Sequence, residues 1–147
     1  MEILNREAKF NYFIEDEIEC GIVLLGTEIK SIRDGKANLK DSYAIIRNNE
    51  VFLINMHINE YKDGNLFNHD PRRTRKLLLH RSEINKLKKG VEQEGRTLVP
   101  LKLYFIKNNA KILLGLCKGK KNYDKRETIK ERDRNREEAK LQKYNYR

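Results

Sequence analysis

The 147-residue chain has no run of about 18 apolar residues, so no segment is expected to span a bilayer. The opening MEILNREAKF lacks a basic stretch followed by an apolar one, so no signal peptide is expected and the protein reads as cytoplasmic. Only two cysteines are present, Cys20 and Cys117, each inside an apolar run. That is not a zinc pattern, and reduced core thiols are expected; a bridge would require their strands to be neighbours. The three histidines, His57, His69 and His80, form no pair at metal-ligand spacing. The three serines, Ser31, Ser42 and Ser82, sit in no nucleophile elbow. The stretch GLCKGK is one residue short of a phosphate loop, and Lys121 stands where a hydroxyl should hold magnesium. Asp16, Glu17 and Glu19 cluster, but strand alternation puts Asp16 on the opposite face from the two glutamates, a poor metal cage. No catalytic residue, cofactor or metal is expected, and the chain does not read as an enzyme.

Charge is what the chain has in quantity. Charged residues make up 37% against 38% apolar, with 32 Lys+Arg and 22 Asp+Glu for a net +10. From Lys118 to Arg147 there are 12 basic and 6 acidic residues, so a fifth of the chain holds more than half of the net charge. A basic balance of this size points to a polyanionic partner, nucleic acid before a membrane.

The first 117 residues read mainly as strands. Tyr12 to Leu25 alternates partially and is closed by Gly26; TEIKSIRDGK suggests a short helix stopped at Gly35. YAIIR and VFLINM flank a turn-like Asn48-Asn49-Glu50. Residues 62–75 read as a long loop, and Leu77, Leu78 and Leu79 as the start of a buried run. Ser82 can cap a helix running to Glu94, with Gly95 as its stop. TLVPLKLYFIK and KILLGLCKG make a hairpin about Asn108-Asn109-Ala110. At least five strands and two short helices favour a mainly β fold, a small OB-type antiparallel barrel over residues 1–118, because a flat sheet of that size would leave long edges exposed.

Residues 119–147 form a basic tail. Glu127–Lys130, Glu131–Arg134, Asp133–Arg136 and Glu137–Lys140 are opposite charges at helical spacing. Ile129, Ala139 and Leu141 make no continuous apolar face, so the tail is expected to be disordered alone and helical on a partner. Tyr123, Tyr144 and Tyr146 interleave with the cations, a combination suited to bases and phosphates; a membrane helix would need an apolar face that is missing. Further basic clusters occur at Arg6/Lys9, Lys30/Arg33/Lys36, Arg72/Arg73/Arg75/Lys76 and Lys86/Lys88/Lys89. The run 71–76 is expected to present guanidiniums to a folded phosphate backbone.

Four blocks together, NREAKFNYFI, TEIKSIRDGKANLKDSYA, DPRRTRKLLLH and GKKNYDKRETIKER, resemble the small protein B family, the tmRNA-binding (SsrA-binding) proteins of bacterial trans-translation. The resemblance implies a barrel that binds the tRNA-like domain of tmRNA and enters the small subunit of a stalled ribosome, with elongation factor Tu as a further partner through alanyl-tmRNA. It implies RNA-binding roles at the positions of Asn5, Glu19 and Leu78. Arg6, Lys9, Lys36, Arg72, Arg73, Arg75, Lys76 and His80 complete the expected tmRNA-binding set. It also places Lys120, Lys121, Asp124, Lys125 and Arg126 at the decoding centre, and Tyr123, Ile129, Lys130, Arg132 and Leu141 complete the expected decoding-centre and mRNA-channel set. His80, Tyr123 and Arg134 stand where the family often has Asn, His and Trp. Two rival readings are a general RNA-coating module, which needs aromatic platforms on its strands, and an RNA-processing enzyme using Asp16, Glu17 and Glu19 with a metal.

Overall fold

Two long strands set the architecture of the computed structural model, which describes residues 1–145, with side chains for all of them except 65 and 137–145. β2 (Tyr12–Ile22) and β9 (Asn109–Gly119) run antiparallel from Tyr12 opposite Gly119 to Gly21 opposite Lys111. β8 (Thr97–Ile106) pairs with the other edge of β9. The sheet continues from β8 through β4 (Tyr43–Arg47), β5 (Glu50–Ile54) and β7 (Arg75–Leu78) back to β2. Six strands therefore close on themselves, all antiparallel, and β1 (Glu2–Leu4) lies on the remaining length of β8. Closure removes the free edges that an open sheet would carry. This is the mainly β, barrel-like fold expected.

Alternation decides the core. Cys20, Ile22, Leu53, Leu77, Leu98, Leu103, Ile112 and Leu114 point inward and are buried. α3 (Arg81–Glu94) lays Ile84 and Leu87 on this core; Gly90 lets the helix approach, since a Cβ there would stand 2.8 Å from Leu116. α2 (Gly26–Arg33) adds Ile32. A short α1 (Ala8–Asn11) precedes β2, and β3 (Ala37–Asn38) pairs with β6 (His57–Ile58). The cysteines are free and buried although β2 and β9 are neighbours: Cys20 faces Ile112 and Cys117 faces Ile14. Burial, with nearby glutamates, pushes their thiols up to about 12 and about 11.

The sequence reading needs four local corrections. Gly26 begins α2 instead of closing a strand, and β2 ends at Ile22. The β8–β9 turn is centred on Lys107 and Asn108, both at positive φ, and Asn109 already pairs with Ile106; a two-residue primed turn needs that geometry at both centres, as Asn48 and Asn49 show in the β4–β5 hairpin. His80, not Ser82, is the N-cap residue of α3, and its N–H donates to the Glu83 carboxylate at 2.8 Å. Of the leucine run only Leu77 is fully buried; Leu78, on the opposite face of β7, is 52% exposed. The tail is helical as α4 (Asn122–Asn145). Its Glu127–Lys130 pair closes at 3.6 Å; Glu137–Lys140 lies outside the described side chains.

Candidate nucleic-acid interface

The outer face of β2 carries Glu17, Glu19 and Gly21. Register brings Leu113 opposite Glu19, Lys102 opposite Leu113, and Tyr104 opposite Lys111. The Tyr104 hydroxyl donates to the Glu19 carboxylate at 2.5 Å. Burial first, then that hydrogen bond and the carboxylate charge, push the Tyr104 hydroxyl well above its ordinary value. Glu19 is thus a fixed, charged acceptor on an exposed face, able to take hydrogen bonds from base amino groups. Leu78 sits opposite Gly21, where a Cβ would come within 3.2 Å of it. The glycine lets this exposed leucine lie flat against the strand that carries Glu19.

β1 and α1 complete this side. β8 is irregular between Pro100 and Lys102, and Asn5 holds the irregularity: its N–H donates to Leu101 O at 2.9 Å and its side-chain amide to Pro100 O at 2.8 Å. Asn5 therefore orders the surface more than it offers itself to a ligand. Arg6 and Lys9, with Glu17, Lys102 and Leu113, line a cleft beside it. Lys102 lies 5.2 Å from the Tyr104 ring. Nothing in the sequence marks Lys102 and Tyr104: the alternation of LKLYF is visible, but only barrel closure sets it beside Glu19.

The arginine run divides. Arg75 is fully buried, so its expected phosphate contact is corrected: strand alternation turns it inward, where Nε donates to Glu28, Nη1 to Met56 O at 2.6 Å and Nη2 to Pro71 O at 3.1 Å. Arg73 donates to Glu28 at 2.6 Å and to Val23 O at 3.3 Å and keeps about a third of its side chain exposed. Arg72 is exposed, with only the neutral Asn55 amide oxygen as acceptor for its side chain. Lys76 pairs with Glu50 at 3.2 Å on the surface. Lys36 and His80 are exposed, beyond the C-terminus of α2 and at the start of α3. The carboxylates of the rival enzyme reading are held apart: Lys86 binds Asp16 at 2.8 Å, and that hydrogen bond, with the Glu17 N–H, holds Asp16 below the usual carboxylate range.

The root of the tail is pinned to the barrel. Lys120 donates its N–H to Asn11 O and its Nζ to Lys9 O, each at 2.9 Å, and to the Thr128 hydroxyl at 2.8 Å, while lying 4.9 Å from the Phe13 ring. Lys125 and Arg132 lie 5.9 and 5.5 Å from the Phe10 ring. The Lys121 N–H donates to Asp124 at 3.2 Å. Tyr123, Arg126, Ile129 and Lys130 are exposed; the Leu141 side chain lies outside the described residues.

A family model described as SmpB protein matches residues 2–144. A protein of Acetivibrio thermocellus named SsrA-binding protein is 59% identical over 143 residues, 97% of this chain and 93% of that one. An SsrA-binding protein of Bacillus subtilis strain 168 is 62% identical over 133 residues, 90% of this chain and 85% of its own. A solved structure described as "tmRNA-SmpB: a journey to the center of the bacterial ribosome" holds a chain 48% identical to this one, with a TM-score of 0.70 over 82% of this chain and 85% of that one. The likeness runs through the barrel, the arginine loop and the tail alike, and the chain belongs to the SmpB protein family.

Proposed function

We propose that this protein is the tmRNA-binding adaptor of trans-translation in its cell. The barrel, residues 1–118, binds the tRNA-like domain of tmRNA. The tail, residues 119–147, occupies the decoding centre and mRNA channel of a stalled ribosome in place of a codon–anticodon helix. The carrying observation is that the chain has two separate surfaces for polyanions. One is a fixed barrel face, with Arg6, Lys9 and Lys102 around the Tyr104–Glu19 pair. The other is a helix with charge on every side, rooted by Lys120. Elongation factor Tu meets the protein through alanyl-tmRNA. The protein acts in the cytoplasm by positioning RNA and carries out no covalent chemistry.

Truncation after Lys121 keeps the Lys120 contacts to α1 and removes the helix. Such a variant is expected to bind tmRNA within about twofold of the full chain, since the barrel contacts remain, and to lose peptide tagging on stalled ribosomes. Normal tagging by the truncated protein would overturn the division of labour.

A further inference from the structure

The loop between β6 and β7 carries a feature that the barrel face and the tail do not use. Its base is tied down. His69 is 4% exposed, with Nε2 3.0 Å from Ile58 O and Nδ1 2.9 Å from the Thr27 hydroxyl. Nε2 donates to that carbonyl, and Nδ1 shares a hydrogen bond with the Thr27 hydroxyl. Asn68 closes the loop on itself, accepting the Tyr61 N–H at 3.0 Å and donating to Tyr61 O at 2.6 Å. Gly64 fits beneath, where a Cβ would stand 2.7 Å from the Asn68 amide and 3.2 Å from the Thr27 methyl. On this base a 3-10 turn, Asn65–Phe67, holds Leu66 at 96% and Phe67 at 91% exposure. Single exposed apolar residues need no explanation. Two large neighbours, both almost wholly in water on a loop hydrogen-bonded at its neck, form a built apolar tip.

The tip continues the proposed RNA surface. Beyond Leu78 and Gly21, the β2 exit exposes Val23 and Leu25, at 45% and 47%. Val23 is tied to β7 by its N–H to Lys76 O and to the loop by Arg73. Thr27, two residues after Leu25, lies beside Gly64 at the foot of the tip, its methyl 3.2 Å from where a Cβ would stand. Exposed cations stand at its foot: Lys62 in the loop and Lys30, 5.5 Å from the Tyr61 ring. An aromatic and an aliphatic side chain beside exposed cations are what an unstacked base requires.

We propose that Leu66 and Phe67 capture one unpaired base of structured RNA, with Phe67 as the stacking ring and Leu66 as its aliphatic flank. This rests on the RNA-adaptor reading. The base belongs either to tmRNA or to ribosomal RNA, and the test separates the two. Full-length wild type, Phe67→Ala, Phe67→Trp and Leu66→Ala are compared for affinity to transcribed tmRNA, for binding of the protein–tmRNA complex to stalled ribosomes, and by base-specific chemical probing of both RNAs. Because the tip is exposed, unfolding temperatures should match wild type. Phe67→Ala is expected to weaken one of the two binding steps by about 5- to 150-fold and to unmask one protected base, with the salt slope unchanged; Phe67→Trp should restore both. Weakening on tmRNA alone assigns the base to tmRNA, and weakening only at the ribosome assigns it to ribosomal RNA. Unchanged binding at both steps overturns the proposal, as does a loss with no change in base reactivity, which would mean a protein pocket receives the tip. Failure of wild type itself to bind tmRNA would instead overturn the adaptor reading.

Discussion

Neutralising Glu28 should unfold the barrel far more readily than its position on a two-turn helix suggests. Its carboxylate has no exposed side-chain surface and accepts from Arg75 Nε, from Arg73 Nη2 at 2.6 Å and from the Leu25 N–H at 2.8 Å. In Glu28→Gln the Arg75 guanidinium stays buried with neutral acceptors alone, the Met56 and Pro71 carbonyls and one amide oxygen. An uncompensated buried charge costs about 3–5 kcal/mol. At this chain length that lowers the unfolding midpoint by about 10–20 °C. The double variant Glu28→Gln/Arg75→Met should recover much of the loss, because an apolar replacement of a buried pair is often neutral. Removing the exposed Glu50–Lys76 pair should change stability by only about 0–1 kcal/mol. Burial alone would raise the Glu28 carboxyl, but the bonds from Arg73, the Leu25 N–H and Arg75, with the Arg75 charge, hold it below its ordinary 4.5. A depressed folded value means that the unfolded state binds the proton more readily, so this stability is complete above about pH 4.5 and is lost as pH falls through the folded value. Wild-type and Glu28→Gln curves should therefore converge in acid. Circular dichroism melts between pH 3 and 7 would read this, and a Glu28→Gln midpoint within about 3 °C of wild type at pH 7 would refute the reasoning.

On the RNA side, Arg6→Gln, Lys9→Gln and Arg72→Gln should each flatten the slope of log K against log salt by about 0.7–0.9 if each holds one phosphate; an unchanged slope removes that residue from the contact set. Tyr104→Phe keeps the ring and frees the Glu19 carboxylate. It should weaken tmRNA binding about tenfold, the scale of one charge-assisted hydrogen bond, and leave the salt slope as in wild type. Full affinity in that variant would show that Tyr104 does not position Glu19.

The longer β elements are legible because their signals are local, whereas the short strands β1, β3 and β6 carry none. Asn48-Asn49-Glu50 announces a turn, and the apolar runs about Asn108 announce the long hairpin. The run Pro71 to Lys76 was legible as charge and misleading as a site. Composition says how many guanidiniums are present, while strand alternation and the partner at Glu28, 47 residues away, decide which face water. Arg75 and Lys76 are sequence neighbours with opposite fates for that reason. The same holds for Asn5, whose amide is engaged by a carbonyl 95 residues on. Tyr104 and Lys102 were hidden because their meaning depends on which strand closes the barrel. The apolar tip escaped notice since Leu66 and Phe67 sit in a stretch of Asn, Asp and Gly that reads as loop, and exposure is not written in residue type.

How charge is partnered separates barrel from tail. Among the described residues of the barrel six cations have a carboxylate within bridging distance: Arg75 and Arg73 share Glu28, Lys76 has Glu50, Lys86 has Asp16, Arg96 has Glu15 and Lys102 has Glu2. In the described part of the tail only Lys130 has a carboxylate within bridging distance, although eight Lys and Arg lie between residues 119 and 136. The Arg75–Glu28 pair, with no exposed side-chain surface, keeps its hold as ionic strength changes, because buried pairs are screened little. A helix whose cations lack such partners has no apolar face to hold it to the barrel, and its contacts there are cation–ring contacts at Phe10 and Phe13 and the hydrogen bonds of Lys120. Those are weak enough for phosphates to replace. Lys125 and Arg132 rest on Phe10 in the free protein; if the tail enters an RNA channel as proposed, these are the contacts that phosphates would replace, while the Lys120 root would keep the direction in which the helix leaves the barrel.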